Sequence, residues 1–148
     1  MKKGDNCPHF KAINQHGTSF DSFQVIGKKR AVIFFYPKDF TPGCTKEVCD
    51  FRDQYSQFKD LDCEVIGISK DSPSSHLAFS EKYNLNYHLL SDSNNSIRKL
   101  FKVPRNLFGL IPGRVTYVID GDGKFIGIYD SLSNSISHIA FALECLKM

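Results

Sequence analysis

The segment Ala31-Val32-Ile33-Phe34-Phe35-Tyr36-Pro37-Lys38-Asp39-Phe40-Thr41-Pro42-Gly43-Cys44 decides how the rest of the chain reads. Residues 31–36 form a continuous apolar run, rich in β-branched and aromatic side chains. Such a run predicts a strand buried on both faces, as in a sheet covered by helices. Pro37 ends it, because proline has no amide hydrogen to give a ladder. A short loop then delivers Cys44 to the start of a helix predicted over 44–59. There Val48, Phe51, Tyr55 and Phe58 recur at spacings of three and four.

Working outward, residues 63–69 read as a second buried strand. Ser72 followed by Pro73 marks a helix start, with the serine as N-cap and the proline at the first helical position. That helix carries Leu77, Phe79 and Tyr83. Residues 87–90 predict a short strand and 94–101 a short helix. Two strands over 115–120 and 124–129 flank Gly121-Asp122-Gly123, a hairpin signal. The last helix is expected over 135–146, with Ile136, Ile139, Ala140 and Leu143 on one face. The order is β-α-β-α-β-α-β-β-α behind a loop-rich N-terminal segment. It predicts the α/β class: three layers, with a central mixed sheet flanked by helices. One domain is expected over residues 1–148, and 102–113 is its longest irregular stretch.

A chain of 148 residues buries roughly 70% of its unfolded surface, enough for a core without disulfide or metal staples. The net charge of +3 comes without a basic stripe, so nucleic-acid binding has little support. No apolar run approaches the roughly 20 residues of a membrane span. Met1-Lys2-Lys3-Gly4-Asp5 turns polar at once, so no secretory signal is expected. Five cysteines, an odd number, argue for a reducing compartment and chemically special thiols. The cytoplasm is the expected location.

Cys44 is the most informative of the five. A helix start offers free amide hydrogens and the positive end of the dipole, which draw a thiol toward its nucleophilic thiolate form. Thr41 can bring a hydroxyl into the same space, while Pro37 and Pro42 fix the loop. Taken alone, a cysteine in this position reads more readily as a small buried hydrophobe. A second thiol at Cys49, together with the loop chemistry, shifts the reading toward reactivity.

Pro37-x-x-x-Thr41-x-x-Cys44 resembles the active-site pattern of the peroxiredoxins. The longer string Tyr36-Pro37-Lys38-Asp39-x-Thr41-Pro42-Gly43-Cys44-Thr45-x-Glu47-x-Cys49 is similar to the peroxiredoxin Q subfamily, the bacterioferritin comigratory proteins. Val103-Pro104, Leu107-Phe108-Gly109 and Pro112-Gly113-Arg114-Val115-Thr116-Tyr117-Val118-Ile119-Asp120 continue the likeness, in the form found in cyanobacteria and plastids. The resemblance implies a thioredoxin-like fold and a thiol peroxidase acting on hydrogen peroxide and organic hydroperoxides. It implies Cys44 as the peroxide-attacking thiol and Thr41 as its hydrogen-bonding neighbour. Pro37 would be its shield, Arg114 the active-site arginine and Cys49 the resolving thiol of a Cys44–Cys49 disulfide. Gly43 and Glu47 would line the substrate position, and thioredoxin or a similar dithiol would be the reductant. A plastid stroma or thylakoid lumen becomes an alternative location. Neither a cofactor nor a metal is expected.

The implied chemistry makes demands of its own. Cleaving a peroxide expels an oxygen with growing negative charge, and a guanidinium is suited to stabilise it. Without the resemblance Arg114 has rivals in Arg30, Arg52, Arg98 and Arg105. Glu47 reads equally as a group orienting Arg114 and as a solvated helix carboxylate. Phe40 reads equally as a lining of the substrate approach and as an exposed loop aromatic. Cys7, Cys63 and Cys145 read as packing residues, and the histidines at 9, 16, 76, 88 and 138 as surface or core fillers.

Five residues of intact helix rise about 7.5 Å and turn about 140° past a full revolution, which separates the Cα atoms of Cys44 and Cys49 by roughly 8.6 Å. A disulfide rarely spans more than about 7 Å. The helix must therefore open for the two sulfurs to join, and the pairing needs no second subunit, so a monomer is expected. Two other readings compete. A zinc module wants four ligands at tighter spacing. A dithiol oxidoreductase wants Cys-x-x-Cys at the helix start. The chain offers neither pattern.

Overall fold

The computed structural model describes all residues except 104, 107–110, 133 and 148, and it leaves the side chains of 105, 106, 111 and 112 aside. Seven strands form one mixed sheet. They are β1 (Lys11–Asn14), β2 (Ser19–Asp21), β3 (Arg30–Phe35), β4 (Cys63–Ser69), β5 (His88–Ser91) and, after a separate two-stranded ribbon of β6 (Arg105–Asn106) and β7 (Ile111–Pro112), β8 (Val115–Ile119) and β9 (Phe125–Asp130). The helices are α1 (Pro42–Asp53), α2 (Tyr55–Asp60), α3 (Pro73–Tyr83), α4 (Ser96–Phe101) and α5 (Ser137–Lys147).

The large sheet runs β2-β1-β5-β4-β3-β8-β9. Its centre, β3, lies parallel to β4 and antiparallel to β8. The 31–36 run is buried throughout. Its side chains alternate between two cores, as a strand's period of two requires. Ala31, Ile33 and Phe35 join Phe10, Phe20, Ile97 and Phe101 on one face. Val32, Phe34 and Tyr36 join Val48, Phe51, Phe79 and Ile139 on the other. Phe34 stacks on Phe51 of α1 with ring centroids 4.4 Å apart. That contact fixes the back of α1 on the sheet and leaves its first turn at the end of β3.

Three expectations need correction. The N-terminal segment is not merely loop: β1 and β2 pair as a hairpin and extend the sheet through β5. The Asn14 side chain closes that hairpin by accepting from the amides of His16 and Thr18. The single helix expected over 44–59 is two, because Gln54 leaves helical geometry at φ −93° and ψ 4°. Finally, α1 starts at Pro42 with Thr41 as N-cap, two residues ahead of Cys44. The Ser72 cap is present, its hydroxyl accepting from the Ser75 amide at 3.1 Å. The hairpin over 115–130 is present as well. In the expected irregular stretch 102–113, positions 104 and 107–110 lie outside the described residues.

Candidate active site

Cys44 is the third residue of α1, immediately beyond the loop that leaves β3. The first amide to enter this helix ladder is that of Thr45, donating to the Thr41 carbonyl at 2.8 Å. Gly43 and Cys44 thus stand in the turn whose amides have no intrahelical acceptor. Cys44 is buried, and so is Arg114 at the head of β8. Arg114 Nη2 donates to Cys44 Sγ at 3.3 Å. Its Nη1 donates to Glu47 Oε1 at 2.5 Å, and its Nε to the Leu132 carbonyl at 3.1 Å. Three anchors therefore fix one planar cation, a task to which a guanidinium is suited and an ammonium is not. Burial opposes the charge on Arg114, but the Glu47 carboxylate and the Cys44 sulfur hold its pKa above the ordinary value.

Glu47 is fully buried on the Cys44 side of α1. Burial pushes its carboxyl up to about 8, although Arg114 pulls the other way. Its second oxygen, Oε2, has no hydrogen-bond partner among the described residues and faces His138 Nδ1 at 3.8 Å. His138 is itself enclosed. Its Nε2–H donates to the Ser131 carbonyl at 2.7 Å, so Nδ1 accepts the Thr116 hydroxyl, also at 2.7 Å. Burial lowers the pKa of this ring to about 4, which keeps it neutral beside Arg114.

The loop ahead of Cys44 is held from below. Asp39 is buried and accepts from the Tyr36 hydroxyl (2.6 Å) and the Ser75 hydroxyl (2.9 Å), and its Oδ2 meets His76 Nδ1 at 2.7 Å. The Asp39 amide donates to Asp71 at 2.9 Å. The other His76 nitrogen lies 3.0 Å from the Leu90 carbonyl, which can only accept. That nitrogen therefore carries a proton. Asp39, Asp71 and His76 bring ligand-type atoms within 4.8 Å of one another. They use those atoms on each other and on Tyr36, Ser69 and Ser75.

Not every expected residue sits as anticipated. The Thr41 hydroxyl donates to the Lys38 carbonyl at 2.9 Å and makes no cap bond to the helix. Pro37 is half-buried where β3 ends. Phe40 is exposed, takes a left-handed φ of 67°, and packs on Phe79. Cys49 lies on the unbroken α1 with Cys44, and both thiols are free. Burial pushes the thiols of Cys7 and Cys63 up to about 12, as suits cysteines that only pack, and raises the Cys49 pKa as well. His76 and His138 are not simple fillers: each ties an active-site segment to the sheet. Nothing in their local sequence spacing marks them, because the side chains they hydrogen-bond lie 22 to 40 residues away in the chain.

The profile of the AhpC/TSA family matches residues 3–127. The chain is 47% identical over 147 residues to the chloroplastic peroxiredoxin Q of Gentiana triflora, covering 99% of this chain and 67% of that one. It is 46% identical to the Arabidopsis thaliana protein of the same description, at 99% and 68% coverage. Among solved structures, the peroxidoxin BcpB of Mycobacterium tuberculosis superposes with a TM-score of 0.91 at 36% identity, covering 99% of this chain and 97% of that one. The bacterioferritin comigratory protein of Xanthomonas campestris gives 0.83 at 28% identity, with 93% and 90% coverage.

The chain belongs to the AhpC/TSA family and has its thioredoxin-like fold. Within that family it is a peroxiredoxin of the Q type: a thiol-dependent peroxidase that takes a peroxide as substrate and a thiol as reductant.

Proposed function

We propose that Cys44 is the sulfur that attacks the peroxide and that Cys49 resolves it within the same chain. The Cys44 thiolate takes the distal oxygen of a hydroperoxide, the O–O bond breaks, and the leaving oxygen departs as water or an alcohol once it gains a proton. The sulfenic acid on Cys44 then condenses with the Cys49 thiol, releasing water and forming the disulfide. A dithiol reductant of the thioredoxin kind returns two electrons by exchange. What carries this reading is the 3.3 Å contact of Arg114 Nη2 with Cys44 Sγ between two buried side chains. The same cation lies beside the position at which the leaving oxygen gains charge. Glu47 orients Arg114, and Gly43 leaves room for it. Thr41 keeps its oxygen lone pairs for the peroxide hydrogen while its own hydrogen is held by Lys38. Pro37 limits water at the sulfur.

Resolution inside one helix makes a single chain sufficient, so the working unit is a monomer. The relatives quoted above are chloroplastic, which favours a plastid over the cytoplasm expected from the sequence. No helix among the described residues is long and apolar enough to cross a membrane. Peroxide consumption coupled to thioredoxin tests the reading. Wild-type protein is expected to turn over, and both Cys44→Ser and Cys49→Ser to stop at this reductant. Sustained turnover by Cys44→Ser contradicts it.

A further inference from the structure

We propose that Arg98 is a positioning residue for the peroxidase reaction: its guanidinium sets the spacing between the loop that carries Cys44 and the loop that carries Arg114. The inference rests on the reading of Cys44 and Arg114 as the reacting pair. Arg98 lies on α4 and is buried, an unusual place for an arginine unless its donors are engaged. Nη2 donates to the Tyr36 carbonyl at 2.9 Å and Nη1 to the Gly113 carbonyl at 3.1 Å. Tyr36 immediately precedes Pro37, and Gly113 immediately precedes Arg114. One side chain thus grips the backbone directly ahead of each functional loop.

The location explains the need. The ladder between β3 and β8 ends with Phe35 opposite Val115. Beyond that rung the chain continues as Tyr36-Pro37 from β3 and as Gly113-Arg114 into β8, and Pro37 has no amide hydrogen to extend the ladder. The two carbonyls lie beyond the last backbone pair, and Arg98 bridges them in its place. A planar fork with parallel donors can span two acceptors, whereas an ammonium on a flexible stem presents one point of charge. The clamp is itself held. Its guanidinium lies 5.6 Å from the Phe35 ring centre. The Asp92 carboxylate accepts from the amides of Ile97 and Arg98 at 2.9 Å each, and the Asp92 amide donates to the Ser69 carbonyl at the end of β4. Arg98 is therefore referenced to the sheet rather than to the surface.

Two rates separate positioning from plain stability. The first is oxidation of Cys44 by hydrogen peroxide, which needs Arg114 at the sulfur. The second is alkylation of Cys44 by iodoacetamide, a neutral reagent that expels no oxygen and needs no such cation. In Arg98→Lys the peroxide rate is expected to fall by about tenfold to a hundredfold, the range a misplacement on the order of 1 Å produces. Alkylation is expected to stay within about twofold, and the peroxide loss to shrink in an Arg114→Lys background, where there is no fork left to place. Arg98→Met covers Phe35 but donates to neither carbonyl. It is the second variant and is expected to behave alike, so either folded protein suffices. An unchanged peroxide rate overturns the proposal. So does a fall of both rates in step, or an undiminished loss in the Arg114→Lys background. A wild-type Cys44 that ignores peroxide overturns the underlying reading instead, and the two failures are thereby distinguished.

Discussion

At the scale of single residues, the site is a contest between close approach and burial. Gly43 shows the first. A Cβ built there would lie 3.3 Å from Arg114 Nη2, the same atom that contacts Cys44 Sγ. Its backbone is helical, so alanine gains up to about 1 kcal/mol of helix propensity. Gly43→Ala is expected to unfold at the same urea concentration or a higher one, while its peroxide rate falls by about fivefold, as a small misplacement of the cation implies. Stopped-flow oxidation alongside urea titration reads both, and an unaltered rate would show that the approach has slack. Glu47 shows the second. Its folded pKa of about 8 lies above the ordinary 4.5. The folded protein therefore binds the extra proton between those values. By linkage its contribution to stability is fully present below about pH 4.5 and is lost as pH rises through about 8. Glu47→Gln removes that proton exchange. The urea midpoint of wild type is expected to decline relative to the glutamine variant between pH 5 and pH 8, and parallel profiles would contradict the assignment.

At the scale of elements, α1 has to be both firm and able to open. Phe51 stacks on Phe34, and the Tyr87 hydroxyl donates to the Val48 carbonyl at 2.6 Å, so the helix is anchored from its middle onward. Its first turn has no side-chain cap and follows Phe40, a bulky residue in left-handed geometry. Such a backbone costs about 1–3 kcal/mol where surroundings enforce it. Strain at the entry and anchoring behind it predict that the first turns yield if the proposed Cys44–Cys49 bond is to form. Hydrogen exchange over 42–52 is expected to be faster in the oxidised protein than in the reduced protein, with the rest of the sheet unaltered. Equal protection in both forms, with the Cys44–Cys49 bond proven, would mean that the sulfurs meet without unwinding. Much of this was legible: a buried strand, a proline stop, a loop and a helix are local signals. The start of α1 is equally legible, since Thr41-Pro42 repeats the Ser72-Pro73 cue, but apolar spacing begins only at Val48 and does not mark the first turn. The break at Gln54 has no local marker, because the apolar side chains keep their spacing across it.

At the scale of the whole molecule, sequence patterns report which face of an element is buried but not which distant groups meet there. Cys44, Thr41, Pro37 and Cys49 stand within one motif and were visible in it. Arg114 was visible only through likeness to a family, since in isolation it had four rivals. His138, His76 and the clamp at Arg98 are not legible in the sequence, because their partners are backbone carbonyls, which every residue supplies, and side chains far away in the chain. The β1–β2 hairpin was missed for a related reason: its strands are four and three residues long, and few of their side chains are buried. Once the sheet is assembled these parts converge, as β3 brings the thiol loop, β8 the arginine, and α3, α4 and α5 the groups that hold both.

Mass analysis of the intact chain and its peptides after one equivalent of hydrogen peroxide tests the chemistry at Cys44 most directly. Wild-type protein should lose two hydrogens and yield a linked Cys44–Cys49 peptide. Cys49→Ser should instead gain one oxygen at Cys44, and Cys44→Ser should gain none at Cys49. Oxidation that begins at Cys49, or a Cys44 left reduced, would contradict it.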